Sequence, residues 1–180
     1  MKRWSVLLAG LAFLFVAMPA EETEAQVTFG PQAIFWDLDR PGVGARVDIG
    51  LADSFGIDEG FFEELKASIN GSYVFGESES FPGGSASWNV IVINANAVVP
   101  FEVDAAITPF AGAGINHTRF SSSISNGGFG GFGFTGTFSG LNLLGGIEFG
   151  LGDLPAFTEL QYSTSGAGYL TLGFGVMFGG

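Results

Sequence analysis

The residues from Tyr169 to Phe178 alternate strictly between large apolar side chains and small or modest ones. The large apolar residues are Leu170, Leu172, Phe174, Val176 and Phe178. A two-residue period predicts a β-strand whose two faces meet different surroundings. One face is bulky and apolar, and the other is nearly bare. The pattern therefore favours a strand with lipid on one side and a narrow barrel interior on the other.

The start of the chain has the features of an export signal. Basic residues come first, and an apolar run from Val6 to Met18 follows that is too short to span a bilayer as a helix. Small residues place the cleavage site after Ala25, with Ala20 as the alternative, which the neighbouring Pro19 disfavours. We therefore expect a signal peptide over residues 1–25 and one outer-membrane β-barrel domain over residues 26–180. The chain has no cysteine, which excludes a form anchored by a lipid on a cysteine at the cleavage site.

The net charge and the mean hydropathy limit the functions and folds that the mature chain can have. Cleavage would remove two basic and three acidic residues, so the formal net charge would change from −12 to −11. Such an acidic protein has no electrostatic basis for binding nucleic acid. The mean hydropathy is nevertheless positive, although no segment beyond the signal approaches the roughly 20 apolar residues that a spanning helix needs. Alternating strands are the arrangement that best accounts for this apolarity.

Eight segments carry the two-residue period. They are residues 29–36, 43–51, 65–75, 88–99, 107–118, 141–149, 156–162 and 170–178. Most have the roughly 9–12 residues that a tilted membrane-crossing strand requires. The sequence therefore predicts an all-β fold, an eight-stranded antiparallel up-and-down transmembrane β-barrel. Residues 119–138 form either a mobile loop or a pair of strand extensions, and a further hairpin there would raise the count to ten.

The connections between these segments are rich in turn residues. An even number of strands places both termini on the periplasmic side. On that basis the loops 37–42, 76–87, 119–138 and 163–168 face outside. The turns 52–64, 100–106 and 150–155 face the periplasm.

Several segments resemble a known family. Residues 108–114, 142–149, 156–162 and the final strand are similar to the small outer-membrane β-barrels of the OmpA/OmpX-like type, within the porin-family superfamily of diderm bacteria. The resemblance implies outer-membrane lipid and lipopolysaccharide as surroundings, insertion by the barrel-assembly machinery, no cofactor and a monomer. Members of the family usually end on an aromatic residue, whereas here Phe178 is followed by Gly179 and Gly180.

The faces opposite the apolar ones carry the charges. An eight-stranded barrel is just wide enough for side chains to fill, which predicts a plugged cylinder and not an open pore. The expected inward residues are Arg46, Asp48, Lys66, Asn70, Asn94, Asn96, Glu148 and Glu159. Their charges form an interior ion-pair core in which two cations face three carboxylates, so one carboxylate is expected to be hydrogen-bonded or protonated. A structural polar core is the first interpretation, and a switchable ion-pair gate is the alternative.

The chain contains one histidine, His117, which by parity lies on the outward face near the outer rim. Lipid A deacylases of this architecture use a His-x-Ser pair, but the matching position here is Arg119, which is no nucleophile. One histidine without cysteines also cannot build a histidine-rich metal site. We therefore expect no catalytic, cofactor-binding or metal site.

Two further features concern the outer surface. The acidic pairs Asp37/Asp39 and Glu77/Glu79 are expected to be solvated loop faces, with binding of divalent cations between lipopolysaccharide phosphates as the alternative. Five aromatic residues near strand ends fit an interfacial girdle. They are Trp36, Tyr73, Trp88, Tyr162 and Tyr169.

Together these features predict a non-enzymatic outer-membrane barrel with a structural or surface-interaction role. One alternative is a narrow permeability barrel for small solutes, and another is a lipid-modifying barrel enzyme. A soluble, lipocalin-like barrel would instead turn its apolar faces inward around a ligand. The charges that share one face with Arg46 and Glu159 argue against this last arrangement.

Overall fold

The computed structural model describes residues 27–51, 57, 60, 62–101, 103–126 and 130–179. The predicted signal peptide, residues 1–25, lies outside the described residues and stays a prediction. Within the described part of the chain, no helix is long and apolar enough to cross a membrane.

The described residues form nine β-strands, which we number in chain order. They are β1 Val27–Trp36, β2 Arg40–Gly50, β3 Lys66–Val74, β4 Ser78–Phe81, β5 Gly84–Pro100, β6 Ile107–Asn126, β7 Phe132–Leu151, β8 Leu154–Ser163 and β9 Tyr169–Val176.

Strand pairing closes the sheet into a barrel. Neighbouring strands are antiparallel, β3 pairs with β5, and β9 pairs with β1. The short strand β4 pairs with β5 directly beyond the end of β3, so it extends the position that β3 occupies in the sheet. Eight strand positions therefore encircle the interior, which confirms the predicted eight-stranded up-and-down barrel.

The two ends of the barrel differ. The hairpin end carries the β1–β2 turn, the β4–β5 hairpin, the β6–β7 hairpin and the β8–β9 loop. The termini end carries Val27, Phe178 and the connections from β2 to β3, from β5 to β6 and from β7 to β8. Strands β6 and β7 have 20 residues each, about twice the 9–11 that cross a membrane. Residues 119–126 and 132–138 are thus strand extensions, the second of the two arrangements that the sequence left open.

Burial alternates along the strands as the two-residue period requires. In β3, Ser68, Asn70, Ser72 and Val74 are buried, whereas Ile69 and Tyr73 are exposed. Large apolar side chains cover the exterior, which we call the outer wall. Its members include Phe29, Phe35, Val43, Ile69, Tyr73, Ile93, Ile115, Leu141, Leu143, Leu160, Tyr162 and Phe174. This arrangement is the reverse of the one that a soluble, lipocalin-like barrel requires.

The seam between β1 and β9 closes the barrel. It consists of the pairs from Gln32 to Trp36 and an isolated bridge between Phe29 and Phe178. Between them lies Pro31, which has no N–H to donate to the ladder. A Cβ atom at Gly30 would collide with the carbonyl of Val176, so the two backbones approach this closely only because residue 30 is glycine.

Three predicted loops are corrected. The turn expected at 150–155 comprises residues 152 and 153, because β7 ends at Leu151 and β8 begins at Leu154. The turn expected at 37–42 comprises residues 37–39, because Pro41 and Gly42 lie inside β2. Proline is tolerated there because Pro41 lies just beyond the last β2–β3 pair, Gly42 with Val74, so its missing N–H interrupts no pairing with β3; its carbonyl accepts from Phe75 N–H (2.9 Å). The loop expected at 76–87 contains β4 and the start of β5, joined at Pro82 and Gly83, and Gly83 adopts a positive φ of 91°.

Candidate functional site

Arg46 lies at the centre of the termini half of the interior. It projects from β2 and is 1% exposed. Its Nε donates to Asp48 Oδ1 (2.7 Å), and its Nη1 donates to Glu159 Oε2 (3.0 Å) across the barrel. Its third nitrogen, Nη2, has no hydrogen-bond partner among the described residues. A cation this deeply buried is stable only with such compensation.

Two phenylalanines complete the surroundings of Arg46. The guanidinium carbon lies 4.5 Å from the ring centre of Phe157 and 5.6 Å from that of Phe110. These distances are those of cation–π contacts. Both rings belong to an apolar cluster with Val98, Leu144 and Met177. Sequence reasoning missed Phe157 as a partner, although it has the same inward parity as Glu159.

A second ion pair lies at the termini mouth. Lys66 Nζ contacts Glu148 Oε2 at 3.2 Å, and each side chain is 28% exposed. The pair lines a cavity of about 220 Å³ together with Asp48, Phe157 and Met177. The five residues expected in the ion-pair core thus form two groups in the structure. Arg46, Asp48 and Glu159 are one group, and Lys66 with Glu148 is the other.

Amide side chains fill the middle of the barrel. Asn142 is 1% exposed, and its Nδ2 donates to Asn94 Oδ1 (3.0 Å) and Asn96 Oδ1 (2.9 Å). Asn94 in turn donates to Asn70 Oδ1 (2.7 Å), and Ser163 Oγ donates to Asn142 Oδ1 (2.8 Å). Three of these asparagines were predicted to point inward. The two-residue period also places Asn142 on the inward face. Its position at the centre of these hydrogen bonds could not be predicted, because it depends on the register between β5, β6, β7 and β8.

The middle of the barrel is closed. The cavity among Gln32, Asn70, Asn94, Glu159 and Gln161 measures about 20 Å³, roughly the space for one water molecule. Larger spaces lie on either side of it, about 220 Å³ at the termini end and about 770 Å³ at the hairpin end. Among the described residues, side chains fill the middle of the barrel and separate the two larger cavities.

The hairpin half of the interior is aromatic. Trp36, Trp88 and Phe120 pack on buried Ile34, Val74, Val90 and Val92. Arg40 lies over the rings of Trp36 (5.3 Å) and Trp88 (4.8 Å). Tyr169 is 7% exposed, and its hydroxyl bonds to Asn116 and Thr118 at 2.9 Å each.

These positions correct the predicted girdle. Trp36, Trp88 and Tyr169 point inward, whereas Tyr73 and Tyr162 lie on the outer wall and are 39% and 45% exposed. The parity of β1 and β9 already placed Trp36 and Tyr169 inward. The two-residue period therefore predicts the direction of these side chains better than their position near strand ends does.

His117 is exposed on the outer wall, on β6. Its Nδ1 lies 3.0 Å from Ser139 Oγ on β7, the residue directly opposite it in the ladder. The hydroxyl next to this histidine therefore belongs to the neighbouring strand β7. It does not come from residue 119, two positions along β6, where the His-x-Ser pattern would place it. Among the described residues no ion pair joins His117 to a carboxylate, so this pair has no acid to orient the imidazole.

The acidic residues do not gather into a metal site in the described part of the chain. No group of three or more histidine, cysteine, aspartate or glutamate side chains there is arranged to hold an ion. Asp39 instead contacts its neighbour Arg40 at 3.7 Å, in an exposed pair.

Comparison with known proteins identifies the fold. No family model matches the chain, and no curated protein sequence matches it. Among solved structures it is similar to a major outer membrane protein from Thermus thermophilus, with a TM-score of 0.63 and 10% identity over 86% of this chain and 99% of that one. It is also similar to the N-terminal β-barrel domain of Pseudomonas aeruginosa OprF, with a TM-score of 0.54 and 11% identity over the same shares of the two chains.

Identities this low show the fold alone. The chain has the fold of the outer-membrane β-barrels, with an apolar outer wall and a polar interior. At the level of the fold, the resemblance noted in the sequence is confirmed.

Proposed function

We propose that the mature chain is a non-enzymatic, integral outer-membrane protein with both termini in the periplasm, and that its role is structural or one of surface interaction. The observation that carries the proposal is the division between the outer wall and the interior. Bulky apolar residues such as Leu141, Leu143 and Ile115 are 61–64% exposed, while Arg46 and Asn142 are 1% exposed. A lipid environment accounts for such a surface, whereas water would leave a large apolar area unfavourably solvated.

The shape of the barrel supports an interaction role at one end. The hairpin end extends beyond the length that crosses a membrane, by about ten residues in β6 and β7, and β4 and the start of β5 extend beside them. The termini end has no comparable extension among the described residues. Under the proposed orientation, the extended sheet projects from the cell surface, where lipopolysaccharide and surface molecules are the available partners.

The closed interior supports a structural role over a permeability role. The middle of the barrel has room for about one water molecule. The buried ion pairs and the amide hub hold this section together.

Single-cysteine labelling tests the location and the orientation, because the chain has no cysteine of its own. Ala167 in the β8–β9 loop and Asp153 in the β7–β8 turn are both exposed, at opposite ends. In intact cells, a membrane-impermeant maleimide should label an Ala167→Cys variant and should leave Asp153→Cys unlabelled until the outer membrane is permeabilised. The opposite pattern would overturn the orientation. Recovery of the protein in the soluble periplasmic fraction would overturn the membrane location.

A further inference from the structure

The outward face of β5, β6 and β7 changes from apolar to polar toward the hairpin end. One row of paired outward residues is apolar, and a row nearer the hairpins is polar; they are Ala95, Ile115 and Leu141, and Asn89, Ser121 and Thr135. Ile115 and Leu141 are 61% and 64% exposed. The outer face of a membrane barrel makes this change where the apolar band ends at the membrane–water interface. The interface on this side therefore lies in the two rows between them.

Those two rows bring four polar side chains together on the outer wall. His117 and Arg119 are two positions apart on β6, so they share a face at a separation of about 7 Å along the strand. Ser139 lies opposite His117 on β7, and Thr137 lies opposite Arg119. Directly paired residues of this kind have Cβ atoms about 4.5–5.5 Å apart. All four side chains are exposed, and we call them the rim cluster.

Arg119 differs from the other basic residues that the structure describes. Arg40, Arg46 and Lys66 each form an ion pair with a carboxylate, whereas no ion pair joins Arg119 to an acidic residue in the described ranges. A guanidinium has five N–H donors and no acceptor, and its planar fork matches the oxygens of a phosphate. The charge of Arg119 is therefore available to an anion that does not belong to the described chain.

The other members of the rim cluster add donors and no negative charge. His117 Nδ1 lies 3.0 Å from Ser139 Oγ. When the Ser139 hydroxyl donates to Nδ1, the proton of the neutral imidazole is on Nε2, which can then donate to an outside acceptor. The Thr137 hydroxyl supplies another donor beside Arg119. The β5 residues in the same two rows are Ile91 and Ile93, so these rows contain no carboxylate that would repel an anion.

We propose that the rim cluster binds the phosphate group of a membrane lipid, with Arg119 as the main contact. Arginine binds phosphate oxygens through two parallel charged hydrogen bonds, and a basic residue near the membrane surface attracts anionic lipids. Ile115 and Leu141 occupy the next row toward the termini end, so a lipid bound in this way would lay its acyl chain on exposed apolar side chains. A free phosphate ion would gain the charged contacts alone, and an uncharged lipid would gain the apolar contacts alone.

The inference rests on the proposed function in one respect, since only a barrel with its hairpin end outside the cell places the rim cluster at the outer leaflet. Cysteine labelling in intact cells decides that orientation. A lipid titration of the purified protein in micelles does not depend on the orientation, so failure of the one is distinguishable from failure of the other.

The test is a lipid titration of the folded, untagged protein in dodecyl maltoside micelles, which contain no phosphate. His117 is the only histidine of the chain, so ¹⁵N-histidine labelling gives the NMR signals of a single imidazole within the rim cluster. Dioctanoyl phosphatidic acid should shift these signals saturably at constant pH. Cholesteryl hemisuccinate, which is an anionic amphiphile without phosphate, and inorganic phosphate, which has no acyl chain, should each bind at least about tenfold more weakly.

Two arginine variants locate the binding site. Arg119→Gln should weaken the binding of phosphatidic acid by about tenfold or more, which the loss of one charged hydrogen bond accounts for. Arg40→Gln is the matched control, because it removes the same charge at the same end of the barrel. Arg40 lies over Trp36 and Trp88 on the inward side of β2, so this variant should bind the lipid as the wild type does.

The mobility shift between heated and unheated gel samples verifies that both variants are folded. The proposal is overturned by the absence of a saturable shift up to about 1 mM phosphatidic acid or by equal losses of binding in the two variants. Equal binding of cholesteryl hemisuccinate would overturn the choice of phosphate. Equal binding of inorganic phosphate would overturn the choice of a lipid.

Discussion

The two halves of the barrel interior each contain an arginine, and they surround it with different side chains. In the termini half, a fully buried arginine is held by two carboxylates and two phenylalanine rings. In the hairpin half, Arg40 is 41% exposed and lies over Trp88 and over Trp36, which lines the cavity of about 770 Å³ at this end. The termini half therefore encloses its arginine next to a small cavity of about 220 Å³, whereas the aromatic half leaves its arginine partly exposed next to a larger cavity of about 770 Å³.

The largest effect that we expect is a difference in barrel stability between variants of these two arginines. Arg46→Ala would leave Asp48 and Glu159 buried without their cation, and should destabilise the barrel by about 3–5 kcal/mol. Arg40→Ala removes a partly exposed cation and should cost about 1 kcal/mol or less. Urea-dependent folding into lipid vesicles, followed by the mobility shift between heated and unheated gel samples, measures both values.

A charge-neutral variant shows whether the Arg46 effect is electrostatic. Combining Arg46→Met with Asp48→Asn and Glu159→Gln removes the cation and both carboxylates, and should recover much of the lost stability. Equal stability losses for Arg46→Ala and Arg40→Ala would remove the distinction between the two halves.

The next effect concerns the seam near the termini end. Gly30→Val would place a side chain against the carbonyl of Val176 and should cost about 1–3 kcal/mol, as overpacking does. Gly71→Ala is the matched control, because an added Cβ there meets no atom within 4 Å. The same folding assay should show a lower urea midpoint for Gly30→Val and an unchanged or higher one for Gly71→Ala. If Gly30→Val had the same urea midpoint as the wild type, the seam would have enough space for a valine side chain, which would contradict the close packing at Gly30.

A weaker effect concerns Tyr169, which lines the cavity at the hairpin end. Tyr169→Phe removes the hydroxyl that bonds to Asn116 and Thr118, and should cost about 1 kcal/mol. Tyr73→Phe, on the outer wall, removes a hydroxyl without such partners in the described residues and should be close to neutral. A larger loss for Tyr73→Phe than for Tyr169→Phe would contradict the inward placement of Tyr169.

The two-residue period predicted much of this structure. It placed Arg46, Asp48, Asn70 and Glu159 on faces opposite Val47, Ile69 and Leu160. This follows because the residues of a barrel strand alternate between a face that needs apolar side chains toward lipid and a face that needs polar ones toward the interior. The same period indicated eight strand positions, since most of the segments are long enough to cross a membrane.

Other features depend on information that a period does not carry. The pairing of Arg46 with Glu159 spans 113 positions, and that of His117 with Ser139 requires the β6–β7 register. Strand β4 has only four residues, three of them polar, and all four are exposed, so it lacks the alternation that marks a strand. The aromatic packing of the hairpin half was not predicted because Trp36 and Trp88 also fit an interfacial girdle, and tryptophan suits an interior and an interface equally well.

Conductance across a planar lipid bilayer decides whether the barrel is closed between its two cavities, on which the contrast between its halves depends. The wild-type protein should give a current indistinguishable from that of the protein-free membrane, because the middle section has room for about one water molecule. A stable, ohmic conductance from the wild-type barrel would contradict a closed interior and would support the permeability role instead.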